Sequence, residues 1–458
     1  MEIELWLIWA TLAVVSLLYY LANPTRRAGI QRMPPGPTPL PVIGNLLCLR
    51  GGNLHHTLAR LARADGPVMT LKLGLTTAVV VSSRDAAREA FTRQDRRLAA
   101  RAVPDAARGL GFADRSMVWL PSSDPLWKSL RGIAAAHAFS PRALAAARGV
   151  RERKVRDMVS YFRGCAGTEV DVGQAMYAGV LNLRRLDLQG WRRWSAIRIG
   201  KIFRILDGII DSRMAFNTST EEKHGDFLDV LLELFSTGKI ARDSLTAILF
   251  DLFTAGSDTM AITVEWAMAE LLRNPGVMAK VRAELDDTLG GKETIVETDV
   301  AGLPYLQAVV KEAMRLHQVA PILLPHRAEE EGVEIGGYAV PKGSTVIFNV
   351  WAIMRDPAAW ERPDEFVPER FLGRAEADQV LDFRGKAFEF IPFGSGRRLC
   401  PGVPMAERVV PFILASLLRA FEWRLPDGML AEELDVSERF TTANVMAVPL
   451  KAVPVVVT

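Results

Sequence analysis

The chain has 458 residues, too many for one small module, and its 49% hydrophobic content is enough for a large buried core. Its 56 basic residues nearly balance its 53 acidic residues, and this net charge of +3 argues against a dedicated nucleic-acid binder. The 3 cysteines, Cys48, Cys165 and Cys400, lie far apart without C-x-x-C spacing. This spacing indicates neither a disulfide framework nor a cysteine zinc site and is typical of a reducing compartment.

The first predicted element is a membrane helix over residues 5–22, an apolar stretch without a charge. At about 1.5 Å per residue, it nearly spans a hydrocarbon core of about 30 Å. A cleaved signal peptide is the alternative, but acidic Glu2 and Glu4 precede the stretch and no small-residue cleavage site follows it. Because Arg26 and Arg27 come directly after the helix, the chain beyond it is expected to face the cytosol.

Residues 33–41, MPPGPTPLP, form a proline run that favours a stiff, extended segment. A ligand for proline-reading domains is the alternative, but the run joins the anchor directly to an apolar core, which favours a spacer. No later segment marks a second domain boundary. The predicted organisation is an N-terminal membrane anchor over 1–24, a basic, proline-rich hinge over 25–44 and one large domain over 45–458.

A long helix is predicted over residues 245–273, ended by Asn274 and Pro275. Residues 255–259 in its middle read Ala-Gly-Ser-Asp-Thr. Glycine and polar side chains are costly in a buried helix, so this segment requires an explanation. A local kink with a satisfied Thr259 hydroxyl is one explanation, and a functional site is the other.

Two short patterns are weak by themselves. Trp127 and Arg131 are four residues apart, a spacing that aims both side chains the same way on a helix. Glu312 and Arg315 are three apart on one helix face, as in many ordinary surface pairs. The segment Pro-Glu-Arg-Phe at 368–371 follows them along the chain.

The most informative segment is FGSGRRLCPG at residues 393–402. A dinucleotide-binding loop is a poor alternative, because Leu399 replaces the third glycine of G-x-G-x-x-G. The pattern Phe-x-x-Gly-x-Arg-x-Cys-x-Gly resembles the cysteine-ligand loop of the cytochrome P450 superfamily, and the similarity runs over essentially the whole chain. This resemblance implies a mainly α fold with small β-sheets, the cytochrome P450 fold, behind an N-terminal transmembrane helix.

The resemblance also implies a haem b cofactor. Cys400 would be the thiolate ligand of its iron, and Phe393 would shield the sulfur from water. Two further candidates, His326 and Arg327, are adjacent, and which of them contacts the haem stays open. The implied partners of the haem propionates are Trp127, Arg131, Arg398 and either His326 or Arg327.

Other motifs acquire implied roles from the same resemblance. Glu312, Arg315 and Arg370 would form a buried network that braces the cysteine loop. Thr259 would donate a hydrogen bond above the haem and Asp258 would relay protons, a pair that favours monooxygenation. The implied apolar pocket positions are Phe250, Phe253, Ala255, Val319, Ile322 and Leu323, with residues 440–445 near the C-terminus.

Finer features, including VPDAARGLG and VWLPSSDPLWKSLR, are similar to the plant microsomal branch that contains geraniol hydroxylases and cereal diterpene hydroxylases. The resemblance implies hydroxylation of an apolar small molecule, a terpenoid, by O2 with electrons from NADPH through NADPH-cytochrome P450 reductase. The expected location is the endoplasmic reticulum membrane. Lys128, Arg131 and Arg397 are candidates for docking an acidic face of the reductase. A xenobiotic or phenylpropanoid hydroxylase is an alternative.

The chain departs from this family between Trp127 and Gly256, where it carries markedly fewer residues than its relatives. The join is predicted near residues 181–185, and the missing part corresponds to part of helix E and most of helix F, the pocket roof. A helix beginning near Trp191 is expected to remain. A splice variant or mispredicted exon is favoured over a shortened enzyme, because removing a packed helix exposes apolar surface. An inactive, membrane-tethered haem protein is therefore a further alternative.

Overall fold

The computed structural model describes Val14 and residues 32–180, 191–219, 225–292, 294–372, 381–426 and 428–457. Apart from Val14, the predicted membrane helix lies outside the described residues, as do Arg26, Arg27 and the predicted join near 181–185. The chain divides into two compact units. The first unit comprises Met1–Ala102 and Ile322–Asp356, and the second comprises Val103–Pro321 and Pro357–Thr458.

Helices account for most of the regular structure. In chain order they are α1 Leu54–Asp65, α2 Arg84–Arg93, α3 Asp95–Leu98, α4 Pro125–His137, α5 Pro141–Ala146, α6 Arg148–Gly164, α7 Val172–Val180, α8 Trp191–Ser219, α9 Phe227–Ser236, α10 Arg242–Arg273, α11 Pro275–Leu289, α12 Pro304–Leu316, α13 Val350–Ile353 and α14 Val403–Ala420. Short 3₁₀ segments include Asp105–Asp114, Pro368–Phe371 and Gly396–Arg398.

The strands are short and form small sheets. In chain order they are β1 Val68–Leu73, β2 Thr76–Val81, β3 Ala100–Arg101, β4 Val170–Asp171, β5 His326–Arg327, β6 Val333–Ile335, β7 Tyr338–Val340, β8 Thr345–Phe348, β9 Phe421–Arg424, β10 Glu438–Phe440, β11 Asn444–Met446 and β12 Lys451–Val456. The predicted mainly α fold with small sheets is confirmed.

The first unit contains a mixed five-stranded sheet in the order β1-β2-β8-β5-β3. Strands β1 and β2 form an antiparallel hairpin, whereas β2 pairs with β8 in parallel, from Ala78 opposite Thr345 to Val81 opposite Phe348. Apolar side chains of this sheet pack under α1 in a buried cluster of Leu58, Met69, Leu71, Ala78, Val80 and Ile347. Burial of these side chains is the main stabilisation of the unit.

The second unit is built around α10, which packs against α7, α8, α12 and α14. The predicted helix over 245–273 is confirmed and begins slightly earlier, at Arg242. It ends at Arg273, since Pro275 follows as the first residue of α11 and disfavours helical backbone at Asn274. Among the described residues, α10 is the one helix long and apolar enough to cross a membrane, a test that buried core helices also pass.

Two smaller sheets complete the second unit. Strand β12 pairs with both β4 and β9, and the hairpin of β10 and β11 pairs Glu438 with Met446 and Phe440 with Asn444. Helix α8 begins at Trp191, where a helix was predicted to remain. It packs against the 3₁₀ segment Asp105–Asp114.

Candidate active site

The cysteine loop reaches Cys400 through turns that only glycine adopts easily. Gly394 and Gly396 have φ angles of +73° and +65°, in the left-handed region that side chains with a Cβ disfavour. The amide of Cys400 donates to the carbonyl of Phe393 at 3.1 Å, which closes the loop just before α14 begins. The thiol is therefore held at a fixed point beside the start of a helix.

Backbone donors and one cation surround the sulfur of Cys400. Burial raises the pKa of the thiol, and hydrogen bonds from the amides of Gly402 and Val403 and the charge of Arg131 act in the opposite direction. A Cβ at Gly402 would lie 3.6 Å from Sγ, so the backbone approaches the sulfur closely. This arrangement of donors suits a thiolate that is neutralised by a metal ion rather than a free thiol.

Helix α4 presents two predicted residues on one side. The Asp124 side chain caps this helix by accepting from the Leu126 amide at 2.7 Å, and Pro125 occupies its first turn. Trp127 is buried and its Nε1 donates to the Met117 carbonyl at 3.1 Å. The guanidinium carbon of Arg131 lies 5.8 Å from the Trp127 ring centroid, so the two side chains lie together as predicted from their spacing.

Arg398 brings a second guanidinium to the Trp127 ring. Its side chain is buried and donates to the carbonyls of Met117, at 3.3 Å, and Leu120. Its guanidinium carbon lies 4.9 Å from the Trp127 ring centroid. Trp127 is therefore in contact with both cations.

This donor set fits a haem. Arg131 donates to the Leu399 carbonyl, and among the described residues no salt bridge pairs it with a carboxylate. Burial lowers the pKa of Arg131, while the neighbouring Cys400 acts to raise it, so an anion beside it would stabilise its charge. Cationic Arg131 and Arg398, with the thiol of Cys400 beside Arg131, match a ligand that carries carboxylates on its rim and a metal at its centre.

The remaining predicted haem contacts lie in the first unit, on β5. His326 is buried, with Nδ1 2.7 Å from the Leu98 carbonyl oxygen and its ring 5.2 Å from that of Phe348. Arg327 is exposed.

The middle of α10 carries the predicted proton-handling pair. Asp258 and Thr259 are exposed, whereas most positions toward both ends of the helix are buried. The Thr259 hydroxyl donates to the Ala255 carbonyl at 2.7 Å, and the helix stays continuous through this segment. Partial desolvation on the helix raises the pKa of Asp258 above its ordinary value, the direction that favours a carboxyl group as a proton carrier.

The predicted pocket residues fall into three groups. Phe250, Phe253 and Ala255 lie on α10, and Phe250 packs edge-to-face against Phe112 at 4.9 Å. The carbonyl of Val319 accepts from an amide of β11. Ile322 and Leu323 lie in the first unit, where the Leu323 amide donates to the Phe348 carbonyl at 3.1 Å.

Glu312, Arg315 and Arg370 are brought together in the second unit. Arg315 binds Glu312 through two hydrogen bonds, of 2.8 and 2.9 Å, and both side chains are fully buried. Arg370 Nε lies 2.9 Å from the same carboxylate. The Val367 amide also donates to Glu312, so one carboxylate ties α12 to the Pro368–Phe371 segment.

Comparison with known proteins decides the family. The Cytochrome P450 family profile matches residues 34–185 and 188–444. The chain belongs to the cytochrome P450 family. It is 63% identical over 505 residues to rice (Oryza sativa subsp. japonica) "Cytochrome P450 76M5", covering 99% of each chain. It is 59% identical to "Oryzalexin D synthase" and 58% identical to "Ent-cassadiene C11-alpha-hydroxylase 1", both from rice and with 99% of each chain covered.

Solved structures agree on the fold. A zebra fish cytochrome P450 solved with progesterone superposes with a TM-score of 0.76 at 24% identity, covering 88% of this chain and 100% of that chain. As a cytochrome P450, the protein is a monooxygenase, an oxidoreductase with a haem-thiolate cofactor whose electrons derive from NADPH. The predicted family and cofactor are confirmed.

Two buried acid groups of this cytochrome P450 were missed from the sequence. Asp251 on α10 accepts from Ser116 Oγ at 2.8 Å and from the Met117 amide at 2.8 Å. Burial raises its pKa to about 7 against these hydrogen bonds. A lone carboxylate within the apolar run 248–253 was the available signal. The second group joins His317 to Glu270 and Glu438, residues too distant in sequence for any local pattern to connect.

Proposed function

We propose that this chain is an NADPH- and O2-dependent hydroxylase of a terpenoid C–H bond. The observation that carries the monooxygenase chemistry is the thiol of Cys400 beside Arg131, with Arg131 and Arg398 both against Trp127. The substrate class is supported by the rice relatives named for oryzalexin synthesis and for hydroxylation of ent-cassadiene. The apolar lining of the candidate pocket is compatible with such a hydrocarbon.

The haem would be held by this chain's own donors. Cys400 would bind its iron, and Phe393 would lie beside the sulfur. Its carboxylates would be bound by the side chains of Trp127, Arg131, Arg398 and either His326 or Arg327. When bound, the haem supplies the activation of O2 and the oxidation of the substrate.

Residues of α10 would handle protons and exclude water. The Thr259 Oγ1 hydrogen, now donated to the Ala255 carbonyl, is the donor available to the space beside the helix. The Asp258 carboxyl would take up and release protons there, as its raised pKa favours. Phe250 and Phe253 would keep the neighbouring space apolar and dry.

Membrane attachment and the redox partner are part of the proposal. The apolar stretch at 5–22 would anchor the protein in the endoplasmic reticulum membrane, with the domain over 45–458 in the cytosol. Electrons would come from NADPH-cytochrome P450 reductase. The exposed side chains of Lys128 and Arg397 would dock its acidic face, close in sequence to the haem-binding residues.

We also propose that the chain lacks a segment that its relatives carry. Its alignment with the rice relative is 505 residues long although the chain has 458, and the family match is interrupted between residues 185 and 188. Helix α8 exposes Ile205 by 58% and Ile209 by 49%, as expected for a face that has lost its cover. An inactive, membrane-tethered haem protein is therefore the second candidate function.

Turnover in microsomes separates the two candidates. The protein is produced with reductase and supplied with NADPH and a panel of monoterpenes and diterpenes. We expect a hydroxylated product together with the carbon monoxide difference spectrum of a haem thiolate. The spectrum without product from any panel member would favour the inactive haem protein.

A Cys400→Ser variant tests the haem ligand itself. A serine hydroxyl is not a thiolate, so the variant should lose the thiolate-type carbon monoxide spectrum and all turnover. The matched control is Cys165→Ser, a half-buried cysteine elsewhere in the second unit that should leave both unchanged. Survival of the spectrum in Cys400→Ser would refute the assignment.

A further inference from the structure

A buried ion cluster lies beyond the cysteine site, at the end of α12. His317 follows this helix directly, and its Nε2 lies 2.7 Å from Glu270 Oε1 on α10. Its Nδ1 lies 3.4 Å from Glu438 Oε1 on β10. The side chains of all three are at most 7% exposed. One imidazole thus connects the central helix to the hairpin of β10 and β11.

A second set of contacts holds the other strand of this hairpin. The Trp266 ring stacks on His317, with centroids 3.9 Å apart and planes 2° from parallel. Its Nε1 donates to the Asn444 carbonyl at 3.2 Å, and the Asn444 amide donates to the Val319 carbonyl at 2.9 Å. Strand β10 is therefore fixed at its open end, at Glu438, and β11 at its turn end, at Asn444.

The two buried carboxylates of Glu270 and Glu438 require a cation between them, and the His317 ring supplies it. Burial lowers the pKa of His317, but hydrogen bonds to Glu270 and Glu438 outweigh it, and the net pKa lies above the ordinary value. A protonated ring donates from both nitrogens, which satisfies both carboxylates at once. Glu270 also accepts from Asn274 Nδ2 at 3.0 Å. Without the cation, two buried carboxylates would be left facing the same space.

The hairpin needs this support because it is small. Its strands have 3 residues each, and an isolated pair of this size is marginally stable in water. Residues 441–443 form its turn, in which the Thr441 amide donates to the Ala443 carbonyl at 3.0 Å. Residues 440–445, which include this turn, are predicted from the sequence to line the substrate pocket. A small shift at its base would move the pocket wall.

We propose that His317 is a positioning residue for substrate selection, which fixes the β10–β11 hairpin, and with it one wall of the substrate pocket, through Glu438, Trp266 and Asn444. The inference rests on the proposed hydroxylase function. His317 is not a catalytic residue, because both ring nitrogens are engaged by carboxylates and the ring is buried. Its role is to hold the wall against which a terpenoid is oriented.

Variants of the cluster test this role in the haem-loaded, membrane-bound protein. His317→Phe keeps an aromatic ring on Trp266 and removes both hydrogen bonds, whereas Glu438→Gln keeps the imidazole and weakens its arm to the hairpin. We expect both to retain the thiolate carbon monoxide spectrum and to raise the KM for the terpenoid by about 10-fold, with kcat changed less than about threefold. A single product should become a mixture of regioisomers, because the substrate is held less firmly.

Additivity and a matched control sharpen the test. The effect of the double variant should resemble that of His317→Phe alone, because both changes break the same contact. Should His317→Phe fail to bind haem, Glu270→Gln and Glu438→Gln added to it remove the two buried negative charges while keeping the side-chain volumes. Arg439→Ala, an exposed residue of the same strand, should leave KM and products unchanged.

Amide hydrogen exchange separates this inference from the proposed function. In substrate-free holoprotein, residues 438–446 should exchange about 10-fold faster in His317→Phe and in Glu438→Gln than in the wild type. If the wild type oxidises no terpenoid, the hydroxylase proposal fails, but this measurement still tests whether His317 fixes the β10–β11 hairpin. Unchanged exchange in both variants, or unchanged KM and products in an active enzyme, would overturn it.

Discussion

Single carboxylates organise the interior of the second unit. Glu312 is the main example, because its fully buried carboxylate accepts hydrogen bonds from Arg315, Arg370 and the Val367 amide. A buried ion network of this kind adds little net stability over an apolar one, but removing one member leaves an uncompensated charge. Its contribution is to fix the relative positions of α12 and the Pro368–Phe371 segment.

Replacing this carboxylate should be severe. Glu312→Gln keeps the shape but removes the anion between two guanidiniums, and we expect a loss of about 3–5 kcal/mol in unfolding free energy. Thermal unfolding and the amount of haem bound per protein measure it. Glu422→Gln, which breaks an exposed pair with Arg424, is the control and should change stability by less than about 1 kcal/mol. Equal effects would argue against a structural network.

Asp251 should make stability depend on pH. Its folded pKa of about 7 lies above the ordinary value of 3.8 for an aspartate, so the folded protein holds an extra proton between these pH values. The contribution of protonated Asp251 to the free energy of unfolding is fully present below about pH 4 and is lost as the pH rises through about 7. Asp251→Asn should remove a dependence on the order of 1–4 kcal/mol across this window, measured by thermal unfolding at stepped pH. An unchanged slope would contradict the assignment.

At the scale of elements, the loop that carries Cys400 depends on a neighbouring turn. Gly385 has a φ of +68°, and a Cβ there would lie 2.5 Å from the Gly394 carbonyl oxygen. Its own carbonyl accepts from Ser395 Oγ at 2.6 Å. The turn and the cysteine loop therefore fit together without room for any side chain.

Adding one methyl group tests this fit. Gly385→Ala should push the cysteine loop away and lower both stability and haem retention. Gly238→Ala is the matched control, because its φ is +70° and nothing lies within 4 Å of the added Cβ. Both variants share the cost of a left-handed backbone, about 1–2 kcal/mol, so the excess loss in Gly385→Ala measures the clash. Equal losses of stability in the two variants would show that the cysteine loop accommodates the added methyl group.

Elements also show what the sequence could predict. The end of α10 followed from Asn274 and Pro275, and the meeting of Glu312, Arg315 and Arg370 followed from a family resemblance rather than from spacing alone. Spacing correctly placed Trp127 beside Arg131, because both lie on one helix. Contacts between distant segments carry no local signal, which is why the cluster of His317 was missed.

At the scale of the whole molecule, electron supply should depend on salt. If Lys128 and Arg397 dock an acidic reductase, charge reversal of both should raise the KM for reductase about 10-fold at low salt and flatten the salt dependence. Turnover driven by an organic hydroperoxide bypasses the reductase and should be unchanged. Lys239→Glu, an exposed lysine in another loop, is the control. Identical salt profiles in the wild type and the double variant would count against docking here.

The parallel pairing of β2 with β8 has a consequence for biosynthesis. Val81 is paired with Phe348, so the sheet of the first unit joins chain segments that leave the ribosome far apart in time. Until the later segment emerges, the nascent hairpin of β1 and β2 presents an apolar edge with no partner. Chaperone holding during translation, rather than rapid local folding, should therefore set how much of this protein reaches its native state.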